Sequence, residues 1–236
     1  MMTRLIALCL TLLSFNAAAE SVIVFGGSGR LGVAVIKPLL AAGHQVTAFV
    51  RPSSDLNALD GLKVESAVGD VMNAADVLKA LQAKKYTVVV NALSRRGNQP
   101  GAFYDVSQAN ITAAAKATGV GQIVFVGSLG AGESRAVYPD DRWKIYGPLL
   151  LEKERAERDV MGSGIAYTII RNDQIVSDDV PPTGKATLSE DQRARGIVTR
   201  ADLGALVAGC VGAAKCLNKI YHAVDNVAYV PGSPNP

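Results

Sequence analysis

Histidine is nearly absent, with His44 and His222 the only two in 236 residues. One falls at a turn and the other in a final strand, with no cysteines or carboxylates clustered at ligand spacing, so no metal site is predicted. Charge of one sign is scarce too: 24 basic against 21 acidic residues give a net charge of +3. The basic residues are scattered (Lys84-Lys85, Arg95-Arg96, Arg193, Arg195, Arg200) and read as solvated surface positions. That argues against nucleic acid as a partner. A hydrolase elbow is also missing, because Gly127-Ser128-Leu129-Gly130 lacks the G-x-S-x-G spacing and no histidine follows at a persuasive position.

Of the three cysteines, Cys9 lies in a distinct first segment. There Arg4 precedes the apolar run Leu5 to Phe15, and Asn16-Ala17-Ala18-Ala19 leads to Glu20. A positive charge, a short apolar stretch and small residues before a cleavage point form a secretory signal pattern, predicted to be residues 1–19 with cleavage after Ala19. The run is shorter than the roughly 20 residues a membrane span needs, and Leu8 before Cys9 is too large for a lipoprotein signal. The expected location is periplasmic or secreted, with cytoplasmic as the alternative and no stable membrane insertion after cleavage. Loss of Arg4 leaves 23 basic residues against 21 acidic, a net charge of +2. Cys210 and Cys216 then remain with two readings, a disulfide across a turn at Gly212 or two buried thiols.

From Ser21 onward, short β-branched runs alternate with longer helical segments. Strands are expected at Val22–Phe25, Gln45–Val50, Lys63–Val68, Thr87–Ala92, Gln122–Val126 and Ala166–Ile170. Helices are expected at Leu31–Ala42, Ala74–Gln82, Phe103–Thr118 and Pro148–Met161. Continuous Val/Ile strands separated by helices imply a doubly wound parallel α/β sheet, a Rossmann fold. A single domain over residues 20–230 is predicted. Its smaller C-terminal part, with a possible strand near Lys185–Leu188, a helix Ala201–Val211 and a strand Ile220–Val224, closes a substrate cleft. Residues 231–236 read as a disordered tail.

The stretch VIVFGGSGRLG at residues 22–32 carries the strongest motif. Gly26, Gly27, Gly29 and Gly32 satisfy both G-x-G-x-x-G and G-x-x-G-x-x-G between a strand and a helix. Such a turn brings bare main-chain amides, here with Ser28, Arg30 and Leu31, against a pyrophosphate at a helix N-terminus. About twenty residues on, where an acidic side chain would hold the ribose of NAD, Arg51 follows the second strand. A guanidinium there suits a 2′-phosphate, which favours NADP(H) over NAD(H). Arg30 and Ser53 are further candidate donors to that phosphate. Asp70, with Val71 beside it, is placed to accept from the adenine amino group or to cap the next helix.

These residues resemble the atypical short-chain dehydrogenases/reductases, in the NAD(P)H-binding NmrA-like group that includes biliverdin-IXβ (flavin) reductase-like proteins. The resemblance rests on GGSGRLG with Arg51, Gly69-Asp70, VVNALS at 89–94, VFVGSLGAG at 124–132, EKERAERDVMGSGIAYTIIRN at 152–172 and TRADLGALV at 199–207. It implies that Asn91, Ala92 and Leu93 line the nicotinamide ribose. Ser128 matches the family's active-site serine, and Lys153 the lysine that holds that ribose. The family tyrosine four residues before the lysine is replaced by Leu149. Tyr146 and Tyr138, from the segment VYPDDRWKIYGP read as irregular, are substitute proton donors without the four-residue spacing; Trp143 adds an aromatic wall. The charged run Glu152 to Asp159 reads as a solvated face apart from Lys153. The expected function is an NADPH-dependent reductase of a small planar or carbonyl acceptor of quinone, flavin or tetrapyrrole type. A non-catalytic NAD(P)-binding sensor or scaffold is the alternative, and the chain is expected to be a monomer or homodimer.

Overall fold

A computed structural model describes residues 19–95, 102–176 and 178–225. The predicted signal, apart from Ala19, and the predicted tail lie outside the described residues. The strands are β1 (Ser21–Phe25), β2 (Gln45–Val50), β3 (Glu65–Val68), β4 (Val88–Asn91), β5 (Gln122–Ser128), β6 (Ala166–Asn172), β7 (Gln174–Ile175), β8 (Thr187–Ser189), β9 (Ile197–Val198) and β10 (Lys219–Val224). The helices are α1 (Arg30–Ala41), α2 (Ala74–Gln82), α3 (Phe103–Thr118), α4 (Asp140–Gly162) and α5 (Arg200–Ala208).

Eight strands form one sheet in the order β3-β2-β1-β4-β5-β6-β10-β8, and every pairing is parallel except β10 with β8. The strand order reverses between β1 and β4, and an open sheet of this kind leaves a crevice at the carboxyl ends there. This is the expected doubly wound parallel sheet in a single domain. Strands β7 and β9 pair separately as a small parallel ribbon that the apolar strand pattern does not reveal.

Alternate side chains of β1 serve two cores. Val22 and Val24 pack with Val35, Ile36, Leu39, Leu203 and Val207 from α1 and α5. Ile23 and Phe25 pack with Val77, Leu81, Ile111, Ala156 and Val160 from α2, α3 and α4. Both faces of the sheet are therefore covered, which is why the strands read as unbroken apolar runs. Full burial of side chains such as Ile23 and Phe25 contributes about 1.5–3 kcal/mol each. Helix ends follow local signals: the Asn73 side chain caps α2, Thr199 caps α5, and Gly119 ends α3 in the left-handed conformation at φ +72°.

The segment expected to be irregular is largely helical. Helix α4 starts at Asp140, two acidic residues occupy its first turn, and it continues through Pro148. The charged run within it is a solvated face only in part: Arg155 and Arg158 are exposed, but Glu152 and Glu157 are buried along with Lys153. Each of the three buried residues has a partner from another element, as described below.

Cys210 and Cys216 form a disulfide, with Cα atoms 5.5 Å apart. The turn between them includes Gly212 at φ +67°, so the two cysteines never share a continuous helix. Gln122 binds this hairpin to the sheet: its Nε2 donates to the Cys210 carbonyl at 2.9 Å, and its Oε1 accepts from the Gly212 amide at 2.9 Å. The Thr168 hydroxyl donates to the Cys216 carbonyl at 2.8 Å. Gln122 opens β5, so the staple holds the amino ends of the strands, opposite the crevice. Closing so short a loop stabilises by about 2 kcal/mol in the chain-entropy account. Cys210→Ala/Cys216→Ala is expected to lower the urea midpoint accordingly and to leave dinucleotide affinity unchanged; denaturation curves and calorimetry check both.

Candidate active site

The crevice is a cleft of about 600 Å³. Its mouth is the Gly26–Gly29 turn, which leads from β1 into α1. Gly26 adopts φ +81°, and a Cβ there would sit 2.9 Å from the Ala92 carbonyl oxygen. A Cβ on Gly32 would strike the Gly26 carbonyl oxygen. Both positions require glycine, one for conformation and closeness, the other for closeness alone. Gly29 is the N-cap of α1, no side chain caps it, and the first turn holds no acid. The amides of that turn and the positive end of the helix therefore face the cleft as an anion cradle.

The carboxyl ends of the neighbouring strands complete the rim. Gly26, Ser28, Gly29, Arg30, Leu31, Arg51, Asp70, Val71, Ala92 and Leu93 line the cleft, and so do Ser128 and Lys153. Gly27, Gly32, Asn91 and Tyr146 do not. Gly27 packs over Ala48, where a Cβ would approach the Ala48 Cβ to 2.6 Å. Asn91 is buried and turns inward: its Nδ2 donates to Gln108 Oε1 at 2.7 Å, and its Oδ1 accepts from the Leu93 amide at 3.0 Å. It thus shapes the loop that presents Leu93. At the end of β2, Ser54 rather than Ser53 joins Arg51 at the cleft, with its hydroxyl accepting from the Arg51 amide at 3.1 Å. Asp70 accepts from the Met72 amide at 2.9 Å, while the cap of α2 is Asn73.

At the floor, Lys153 Nζ donates to Ser128 Oγ at 2.9 Å and lies 4.9 Å from the centre of the Tyr104 ring. Burial pushes the Lys153 pKa down to about 8, against the opposing pull of the Glu157 carboxylate one turn along α4. Burial in turn raises the Glu157 pKa, countered by Arg171, whose Nη2 lies 2.7 Å from Glu157 Oε2. This pair is almost wholly enclosed, with side chains 3% and 1% exposed. Arg171 also donates to Gln192 Oε1 at 2.9 Å.

Glu152 fixes the adjoining wall. Its Oε2 accepts from Arg95 Nη2 at 2.5 Å and from the Phe103 and Tyr104 amides at 3.1 and 3.3 Å. A carboxylate of α4 thereby satisfies the uncapped start of α3 and holds Tyr104 beneath Lys153. Arg95, Phe103 and Tyr104 line the cleft with no sequence signal to place them there, and so do Asn172 and Arg200, which the sequence offers only as members of longer motifs. Arg200 belongs to the TRADLGALV stretch, yet by scatter alone it reads as a surface charge.

Leu149 lines the cleft one turn before Lys153. Tyr146 stands two helical turns before Lys153 on α4 and is 50% exposed. Two turns are roughly 10 Å along the axis, and Tyr146 does not line the cleft that Lys153 enters. Tyr138 packs edge-on against Trp143, with ring centres 6.3 Å apart. The structure thus brings Ser128 and Lys153 together without Tyr146 or Tyr138, neither of which lines the cleft; the tyrosine beside the lysine is Tyr104 of α3, whose hydroxyl accepts from the Arg95 amide at 3.0 Å.

An uncapped helix N-terminus behind a glycine turn, at the strand-order reversal of a parallel sheet, defines a dinucleotide-binding Rossmann protein. The family model described as NAD(P)H-binding matches residues 26–214, and the chain belongs to that family. The match bears out the resemblance to atypical short-chain dehydrogenases/reductases. Among solved structures, the chain is similar to ChuY, an anaerobillin reductase from Escherichia coli O157:H7, with 23% identity, TM-score 0.77, and coverage of 89% of this chain and 99% of that one. A short-chain dehydrogenase/reductase from Veillonella parvula in complex with NADP shares 16% identity at TM-score 0.71, over 91% of this chain and 96% of that one. At these identities the likeness is one of fold. Sterol demethylase protein B of Methylococcus capsulatus is 35% identical over 114 residues, 46% of this chain and 34% of that protein. The chain spans between a third and about a half of the length of two of the curated relatives it matches.

Proposed function

We propose that this protein is an NADPH-dependent reductase of a small planar or carbonyl acceptor, of quinone, flavin or tetrapyrrole type. The observation that carries this reading is the Ser128–Lys153 hydrogen bond at the floor of the cleft whose mouth is the bare anion cradle. The residues suit the cofactor: the Gly26–Gly29 turn takes the pyrophosphate, Arg51 the 2′-phosphate, Asp70 the adenine side, and Ala92 with Leu93 the nicotinamide side. When bound, NADPH supplies the hydride. Lys153, which donates to Ser128 Oγ, would also hold the ribose hydroxyl, and the Ser128 O–H would be free to donate to the acceptor oxygen or nitrogen and stabilise charge developing there.

Leu149 cannot donate a proton, which directs the reading toward conjugated acceptors that take theirs from solvent. The likeness to ChuY, an anaerobillin reductase, supports this choice, and the likeness to the Veillonella protein bound to NADP supports the cofactor. The Cys210–Cys216 disulfide supports an oxidising compartment for the mature chain, in keeping with the signal pattern. The test is direct: purified protein with NADPH and a panel of quinones, flavins, tetrapyrroles and carbonyls is expected to consume the reduced-nicotinamide absorbance with at least one acceptor. Tight NADPH binding without consumption by any of them would instead establish the sensor reading that Leu149 also favours.

A further inference from the structure

Two guanidiniums converge at the mouth of the cleft. Arg30 is the first residue of α1, and its Nη1 lies 3.3 Å from Asp178 Oδ2. Arg200 is the first residue of α5, and its Nη1 pairs with the other oxygen, Asp178 Oδ1. Both arginines line the cleft beside Ser28, Gly29 and Leu31. A single carboxylate therefore bridges two cations that stand at the positive ends of two helices.

Resting on the dinucleotide reading above, we propose that Arg30 and Arg200 form a subsite for the cofactor pyrophosphate, and that Asp178 occupies it as a built-in competitor until the dinucleotide displaces it. The Arg200 side chain is 15% exposed, against 76% for Arg30, so the inner guanidinium is held in place while the outer one is free to swing. Burial, and then the positive charge of Arg30, lower the Arg200 pKa, so the pair repels itself and favours an anion between its members. Asp178 brings one negative charge and two oxygens from a half-exposed position. A pyrophosphate brings two charges, engages both guanidiniums, and adds the amides of the uncapped first turn of α1. The bridge thus keeps the cation pair compensated when the cleft is empty and yields to a stronger anion.

Asp178→Asn keeps the shape and removes the competing charge. Titration calorimetry on the full protein with NADPH, NADH and inorganic pyrophosphate is expected to show about fivefold tighter binding of all three, the size expected when an exposed ion pair no longer holds the site closed. Arg200→Gln is expected to weaken all three about tenfold, with Arg200→Lys recovering part of the loss. If the wild type binds dinucleotide and Asp178→Asn leaves affinity unchanged or weaker, the competitor role falls while the cofactor reading stands. Tightening of NADPH alone would move the pair to the 2′-phosphate and overturn the pyrophosphate assignment. Failure of the wild type to bind either dinucleotide would remove the reading on which this rests.

Discussion

Lys153→Met is expected to lower kcat for acceptor reduction about a hundredfold, in the range typical of losing a positioned proton-holding group. The ammonium makes the 2.9 Å hydrogen bond that orients Ser128, and it is a buried cation in direct contact with that hydroxyl. The pH profile separates this role from simple packing. With a pKa of about 8, Lys153 loses its proton as pH rises past that point, so wild-type kcat is expected to fall on the alkaline side. The Met variant keeps its low rate without that limb. Stability runs the other way: the folded pKa lies below the unfolded lysine value of about 10.4, so the cost of burying the ammonium is felt at low pH and disappears as pH rises from about 8 toward 10.4. Urea midpoints across that window are expected to rise in the wild type and stay flatter in the variant. A kcat within twofold of wild type, with the alkaline limb intact, would remove Lys153 from the mechanism.

The second large effect belongs to Arg51. Arg51→Asp is expected to shift the ratio of NADPH to NADH affinity about a hundredfold toward NADH, since the proposed charge-assisted contact with the 2′-phosphate, of about 1.5–3 kcal/mol, would be replaced by repulsion. The side chain is exposed at the rim, and its backbone amide is held by Ser54, so the substitution leaves the sheet undisturbed. Calorimetric titration with both dinucleotides reads the ratio. An unchanged ratio would show that the 2′-phosphate is recognised elsewhere or not at all.

The sheet and the cofactor mouth are legible in the sequence because their signals are local: apolar strand runs, a glycine turn with strand before and helix after, and an arginine at the end of β2. What escapes a linear reading depends on partners far apart in the chain. Glu152 reads as a solvated helix charge until Arg95 and the start of α3, dozens of residues earlier, are brought against it. Glu157 is the same case, buried because Arg171 comes from β6. Arg200 joins the cleft because α5 packs on α1, with Gly204 letting the helices meet at the Ala34 carbonyl. The motif around Asn91 points to the ribose side, yet Gln108 of α3 draws the side chain inward. The start of α4 is hidden because Pro139, Gly147 and Pro148 are loop signals, and the packing of Trp143 against Gly147 is a contact that only the formed helix creates.

The disulfide and Gln122 rivet one end of the sheet, while the cleft opens at the other, where loops join the strand ends to the helices. Such a foundation is expected to confer tolerance: rim loops other than the glycine turn can be exchanged, by evolution or by graft, without loosening the scaffold beneath them.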